Sequence, residues 1–140
     1  MKRSRVFFLL GCWLLAWPGV SLAQYAPTQG PAPQGDPQRG RLVFGPCRTC
    51  HYAEQFMGHN NGPNLHRIFG KVAGKQEGFA YYSTTFKDAR FVWTPQLMYR
   101  WLENPMAMFP GSSMMSLGVP DPQRRADLIA YLQQASVREP

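Results

Sequence analysis

Apolar positions recur at helical spacing in three stretches of the chain, and each stretch opens in the same way. Asp36-Pro37, Thr94-Pro95 and Asp121-Pro122 each join a side chain that can accept the first free N–H groups to a proline suited to the first helical turn. The first stretch predicts a helix running to about Arg48, with Leu42, Val43 and Phe44 toward the interior and two cysteines at its C-terminal end. The second carries Leu97, Met98, Trp101 and Leu102 on one stripe and stops by Asn104, because Pro105 disfavours the helical region in the residue before it. The third, QRRADLIAYLQQAS, sets Leu128, Ile129, Tyr131 and Leu132 on a broad apolar face. No run alternates long enough for a sheet, although Phe91-Val92-Trp93 suits a short extended piece. The pattern is that of an all-α domain whose helices are joined by long stretches rich in Gly, Asn, Pro and Ser. Loops of such length are uncommon in a small domain unless something organises them, and a large apolar cofactor would do so.

The N-terminal pattern is of another kind. Lys2, Arg3 and Arg5 precede an apolar run from Val6 to Trp17, and small residues follow up to Ala23, the arrangement of a secretory signal peptide over residues 1–23. A bilayer span needs about 20 apolar residues, and Pro18 and Gly19 end this run earlier. An uncleaved anchor stays open as an alternative. So does lipidation at Cys12, since Leu9-Leu10-Gly11-Cys12 resembles a lipoprotein processing site, although only five apolar residues come before it. Residues 24–35, QYAPTQGPAPQG, hold neither charge nor apolar periodicity and read as a flexible tether. The remaining 105 residues, 36–140, are enough for one domain. Export places that domain in the periplasm, with membrane association only if the signal is retained or lipidated. Without residues 1–23, 12 basic and 8 acidic residues leave +4 in place of the whole chain's +7. They are scattered, so no basic face for nucleic acid results.

Two cysteines remain after cleavage, Cys47 and Cys50, poorly placed for a structural disulfide with each other. With His51 they spell Cys-x-x-Cys-His, a haem-attachment signature. Thiols three positions apart on one helical turn reach both vinyl groups of haem, and the histidine after the second lies beneath the iron. One ring nitrogen ligates while the other donates the hydrogen bond that orients the ring. Other chemistries share these residue types. Structural zinc takes four ligands, and the chain supplies no second cysteine pair. A redox dithiol belongs in a βαβ setting, which the helical pattern lacks. His59 and His66 read as loop-tying or surface residues rather than ligands.

From Gly40 onward the sequence resembles the class I cytochromes c, the soluble single-haem proteins of mitochondria and bacteria. The matching pieces come in that family's order: CRTCH, HNNGPNLHRIFGKVAG, GFAYYS, FVW, WLENP, PGSSMMSLG and RRADLIAYLQQA. The resemblance implies a small cytochrome c fold, all-α, with helices and long loops wrapped around one covalently attached haem c and with the first and last helices crossing near Gly40 and Tyr131. It implies His51 and Met114 as the axial iron ligands, the methionine being the fourth residue after Pro110. Met115 is the competitor, and in an extended segment its side chain faces the opposite way. The resemblance also makes the Pro63 carbonyl the acceptor for the His51 imidazole, and sets Tyr81, Trp93 and Ser112 at the haem propionates or in the lining of their pocket. Buried carboxylates there need such donors, though a tryptophan or tyrosine in a small domain serves equally as core. Trp101 stands where mitochondrial members carry a tyrosine near the methionine sulfur, so an indole N–H replaces a phenol. The lysines that members carry just before PG-x-x-M are absent; Met106, Ala107, Met108 and Phe109 occupy that segment.

The function implied by the resemblance is electron carriage and not enzyme chemistry. A soft thioether favours Fe(II), and iron with both axial positions filled by protein has no place for peroxide or oxygen. The expected partners are redox proteins: a quinol-oxidising cytochrome complex, a terminal oxidase, a reaction centre or a dehydrogenase. The alternative is a cytochrome subunit of a periplasmic dehydrogenase or oxidase complex. A peroxidase or gas sensor would require a displaceable sixth ligand.

Overall fold

Helix α1 (Pro37–Val43) begins where Asp36 Oδ1 accepts the amide N–H groups of Gln38 and Arg39 at 2.8 and 2.9 Å. The structure, a computed structural model, describes residues 32–135; the signal peptide and most of the tether expected from the sequence lie outside them. α1 is shorter than its pattern predicts. Pro46 brings no N–H and its ring crowds the preceding turn, so the chain tightens at Gly45 into a 3₁₀ helix, Gly45–Thr49, that carries the first cysteine. A second 3₁₀ turn, Gln55–Met57, and a one-turn helix, α2 (Thr84–Lys87), sit within the long polar stretch.

Helix α3 (Pro95–Trp101) starts under Thr94, whose Oγ1 accepts from the Leu97 N–H at 3.1 Å. A further turn, α4 (Pro105–Met108), follows directly, with Asn104 Oδ1 accepting from the Ala107 N–H at 3.1 Å. Asn104-Pro105 is thus both the stop of one helix and the start of the next, spelled like the other three. The last and longest helix among the described residues is α5 (Pro122–Ala135), where the Arg124 N–H donates to Asp121 Oδ1 at 2.7 Å. Among the described residues the one β pairing outside the helices is an isolated antiparallel bridge between Val72 and Val92, at the short extended piece. No described helix is long and apolar enough to cross a membrane.

α1 and α5 cross at Gly40. A Cβ at that position would lie 1.9 Å from the Asp127 carbonyl oxygen, so the two backbones touch. The crossing buries Val43, Phe44, Leu128, Ile129 and Leu132, with the Phe44 and Tyr131 rings 5.2 Å apart. Beside it Arg39 Nε and Nη2 each donate to the Asp127 carboxylate at 2.8 Å, and the Asp36 N–H donates to the same group. An aromatic cluster fills the other half of the core. Phe86 touches Trp93, Trp101 and Phe109, and Trp93 and Trp101 are 4.9 Å apart. The tether's last residues lie along α5, where Gln123 Nε2 donates to the Gln34 carbonyl at 2.9 Å.

Candidate functional site

The break of α1 into a tighter helix places Cys47, Cys50 and His51 around one carbonyl. Both the Cys50 and the His51 N–H groups donate to the Cys47 oxygen, at 3.0 and 2.8 Å. The two cysteines are half-buried and not bridged to one another, and burial pushes the Cys47 thiol upward. Arg48, between them, points away and pairs with Glu54 at 2.6 Å.

His51 is seated by the loop that comes after it. Its Nδ1 lies 2.7 Å from the Pro63 carbonyl oxygen, which can only accept, so Nδ1 carries the proton and Nε2 keeps its lone pair. Gly62 lies against the same ring: a Cβ there would come within 2.3 Å of His51 Cε1, so no side chain fits. The Gly62 N–H also donates to the Cys50 oxygen at 2.8 Å, which bolts the seat to the cysteine turn. Burial lowers the imidazole's affinity for a second proton, against the smaller opposing effect of the Pro63 carbonyl.

The other residues singled out from the sequence fall into two groups. Met114 is half-buried against the core, Ser112 is buried with its Oγ accepting the Met114 N–H at 3.1 Å, and Trp93 and Trp101 lie inside the aromatic cluster. Tyr81 stands apart with 81% of its surface exposed, while its neighbour Tyr82 turns inward, half-buried against the core and with its hydroxyl accepting the Gln76 N–H at 3.3 Å. Burial raises the Tyr82 phenol. Tyr82 was not among the sequence candidates. His59 ties loops together, its two ring nitrogens meeting the Glu77 carbonyl and the Asn64 N–H at 2.7 and 3.0 Å. His66 is buried rather than at the surface.

A haem fits this donor set. Among the described residues no group of three or more His, Cys, Asp or Glu converges on a point where a bare metal ion could sit, Cys47, Cys50 and His51 included. Two thiols and an oriented imidazole in a short turn instead suit a macrocycle held at its edge and ligated at its centre. The buried Trp101 Nε1–H and Ser83 Oγ have no hydrogen-bond partner in the protein. Such groups are costly unless something polar meets them.

No protein-family model matches the chain. Individual proteins do. It is 46% identical over 106 residues to a cytochrome c of Chlamydomonas reinhardtii, a match covering 75% of this chain and 94% of that protein. A cytochrome c of Ginkgo biloba is 41% identical over 109 residues, covering 77% of this chain and 96% of the relative. A cytochrome c2 of Rhodopila globiformis is 40% identical over 106 residues, covering 74% and 97%.

Proposed function

The chain belongs to the cytochrome c family, electron carriers with one covalently attached haem c, and from that premise we propose that it is a periplasmic single-electron carrier with His51 and Met114 as axial ligands. Cys47 and Cys50 lie at the spacing that two thioether bonds require. When bound, the haem supplies a reversible Fe(III)/Fe(II) couple. Everything else is the work of the protein.

The observation that carries the reading is the seat of His51. The Pro63 carbonyl and the Gly62 backbone hold the neutral ring in one tautomer and one orientation, with Nε2 free to ligate. A ligand held this way does not rearrange between oxidation states, so little reorganisation accompanies gain or loss of an electron. Met114 supplies the soft, uncharged second ligand, and the Ser112 hydroxyl holds its backbone. Tyr81, Trp93 and Ser112, and Tyr82 beside them, each carry an O–H or N–H that can meet a propionate. The partners consistent with this role are a quinol-oxidising cytochrome complex, a terminal oxidase, a reaction centre or a dehydrogenase.

Spectroelectrochemical titration of the haem-loaded protein tests the reading. A reversible one-electron couple is expected, together with a reduced form that does not take up carbon monoxide at neutral pH. Rapid carbon monoxide binding would mean a displaceable ligand and overturn the carrier assignment. Osmotic-shock fractionation of the source cell tests the compartment, with the mature chain expected in the shock fluid.

A further inference from the structure

The segment Asn104–Pro120 contains 17 residues and not one Asp, Glu, Lys, Arg or His. Of the charges just beyond its ends, Glu103 is met by Arg125, whose Nη2 lies 3.4 Å from Glu103 Oε2 and whose Nη1 donates to the Val119 and Pro120 carbonyls at 2.7 and 2.8 Å, and Asp121 Oδ1 accepts the Arg124 N–H at 2.7 Å. The segment therefore projects little field into solvent. It does project apolar side chains. Met115 is 90% and Leu117 95% exposed, and Met106 and Met108 are 40% and 38% exposed.

These side chains are displayed by a pinned backbone. Residues 114–117 alternate inward and outward, Met114 and Ser116 half-buried, Met115 and Leu117 outside, as an extended segment must. The far end is fixed where the Val119 N–H donates to the Leu102 carbonyl at 2.6 Å and where Gly118, at φ 81°, leaves no room for a Cβ against the same oxygen. The near end is fixed by the Asn104 cap on α4. An apolar pair held outward by such anchors is not a failed core.

We infer that Met106, Met108, Met115 and Leu117 form the docking face for an electron-exchange partner whose own contact surface is apolar and uncharged. The inference rests on the carrier reading, under which Met114 belongs to the redox centre. Electron tunnelling decays steeply with distance, so a partner gains by approaching close to Met114, and Met115 and Leu117 are the exposed side chains of that same extended segment. An acidic partner would find no cation within the segment to meet it. A second copy of the chain is disfavoured by size, because a specific interface buries about 800 Å² per partner and four side chains offer a fraction of that. Such a patch suits a brief encounter, and methionine side chains adapt to more than one apolar surface.

Electron exchange of the haem-loaded protein with washed membranes and with soluble extract of the source cell, as donor and as acceptor, tests this. Leu117→Lys and Met106→Lys are the variants, chosen because neither neighbours Met114 in the chain. The wild-type rate is expected to change by less than about threefold between low and physiological salt, and each lysine to slow exchange by about tenfold. Exchange of both variants with a small neutral reagent such as ferrocene methanol is expected to match the wild type. A wild-type rate falling about a hundredfold with salt would show an electrostatic face and overturn the inference. Undiminished exchange by both variants, or a dimer in sedimentation at micromolar protein, would overturn it equally. Failure of the wild type to exchange with any of these would sink the carrier reading instead.

Discussion

Met114 and Met115 are chemically identical neighbours with opposite surroundings, one half-buried against the core and the other almost wholly in solvent. Met114→Ala is therefore expected to abolish the strongly upfield-shifted methyl resonance of a haem-bound methionine in the reduced protein, and Met115→Ala to leave it in place. Survival of the signal in the first variant and its loss in the second would reverse the assignment. Stability should split the same way, since Met115 gives up almost no buried area. Leu128, fully buried under the helix crossing, behaves in the opposite sense. Its replacement by Ala is expected to cost about 2–5 kcal/mol by urea titration of the haem-loaded protein, through lost burial and the cavity left behind.

Helix α1 is two turns long and gains little from its own hydrogen bonds, so its stability comes from α5. Gly40→Val drives a branched side chain into the Asp127 backbone, which cannot move aside as a side-chain tip can, and is expected to cost at least about 3 kcal/mol. The cap on α4 is a smaller matter: Asn104→Ala should cost about 1 kcal/mol, read from the urea midpoint. The clamp beside the crossing gives a pH dependence. The Arg39 hydrogen bonds, with those from the Asp36 N–H and Gln123 assisting, outweigh burial and hold the Asp127 carboxyl well below the usual carboxylate range. A carboxyl depressed in the folded state stabilises above its unfolded value of about 3.9, and that contribution drains away as pH falls toward the folded one. Arg39→Met should accordingly shrink the loss of stability between pH 7 and about pH 3, with most of the change appearing as a weaker protein at pH 7. An unchanged difference between the two pH values would mean that the clamp contributes nothing.

At the scale of the whole molecule, helices account for a minority of the described residues, and most of those helices are a turn or two long. Such elements do not persist alone. Two halves of the core, one at the α1–α5 crossing and one aromatic, are joined by long polar loops that the haem would organise. Replacing Cys47 and Cys50 together by Ala is expected to yield a chain without covalently held haem and with most of its helical circular dichroism gone, because the cofactor makes up much of the interior of so small a domain. In the wild type, haem should migrate with the polypeptide on a denaturing gel, since thioether bonds outlast coordination. A haem-free double variant with native circular dichroism would show that the protein interior suffices by itself.

Local chemistry spoke plainly in the sequence. A capping side chain before proline marks a helix start through contacts within four residues, so Asp36, Thr94 and Asp121 were legible, and Asn104 carried the same mark. Cys-x-x-Cys-His is legible because its chemistry needs that spacing, whatever surrounds it. The shortening of α1 at Gly45-Pro46 is local too, but the apolar run leading into it masks the stop. The rest depended on partners far along the chain. Whether Tyr81 or Tyr82 turns inward is decided by the backbone path toward Phe79 and Phe86, and two adjacent identical residues carry no label for it. Arg39 meets Asp127 across 88 positions, and Pro63 meets His51 from a separate loop. Composition and periodicity determine which residues can do the chemistry and where helices begin. Only tertiary packing, which brings distant backbone to within hydrogen-bonding distance, decided that Gly62 closes against the histidine ring, that Arg39 clamps Asp127 and that Leu117 faces solvent.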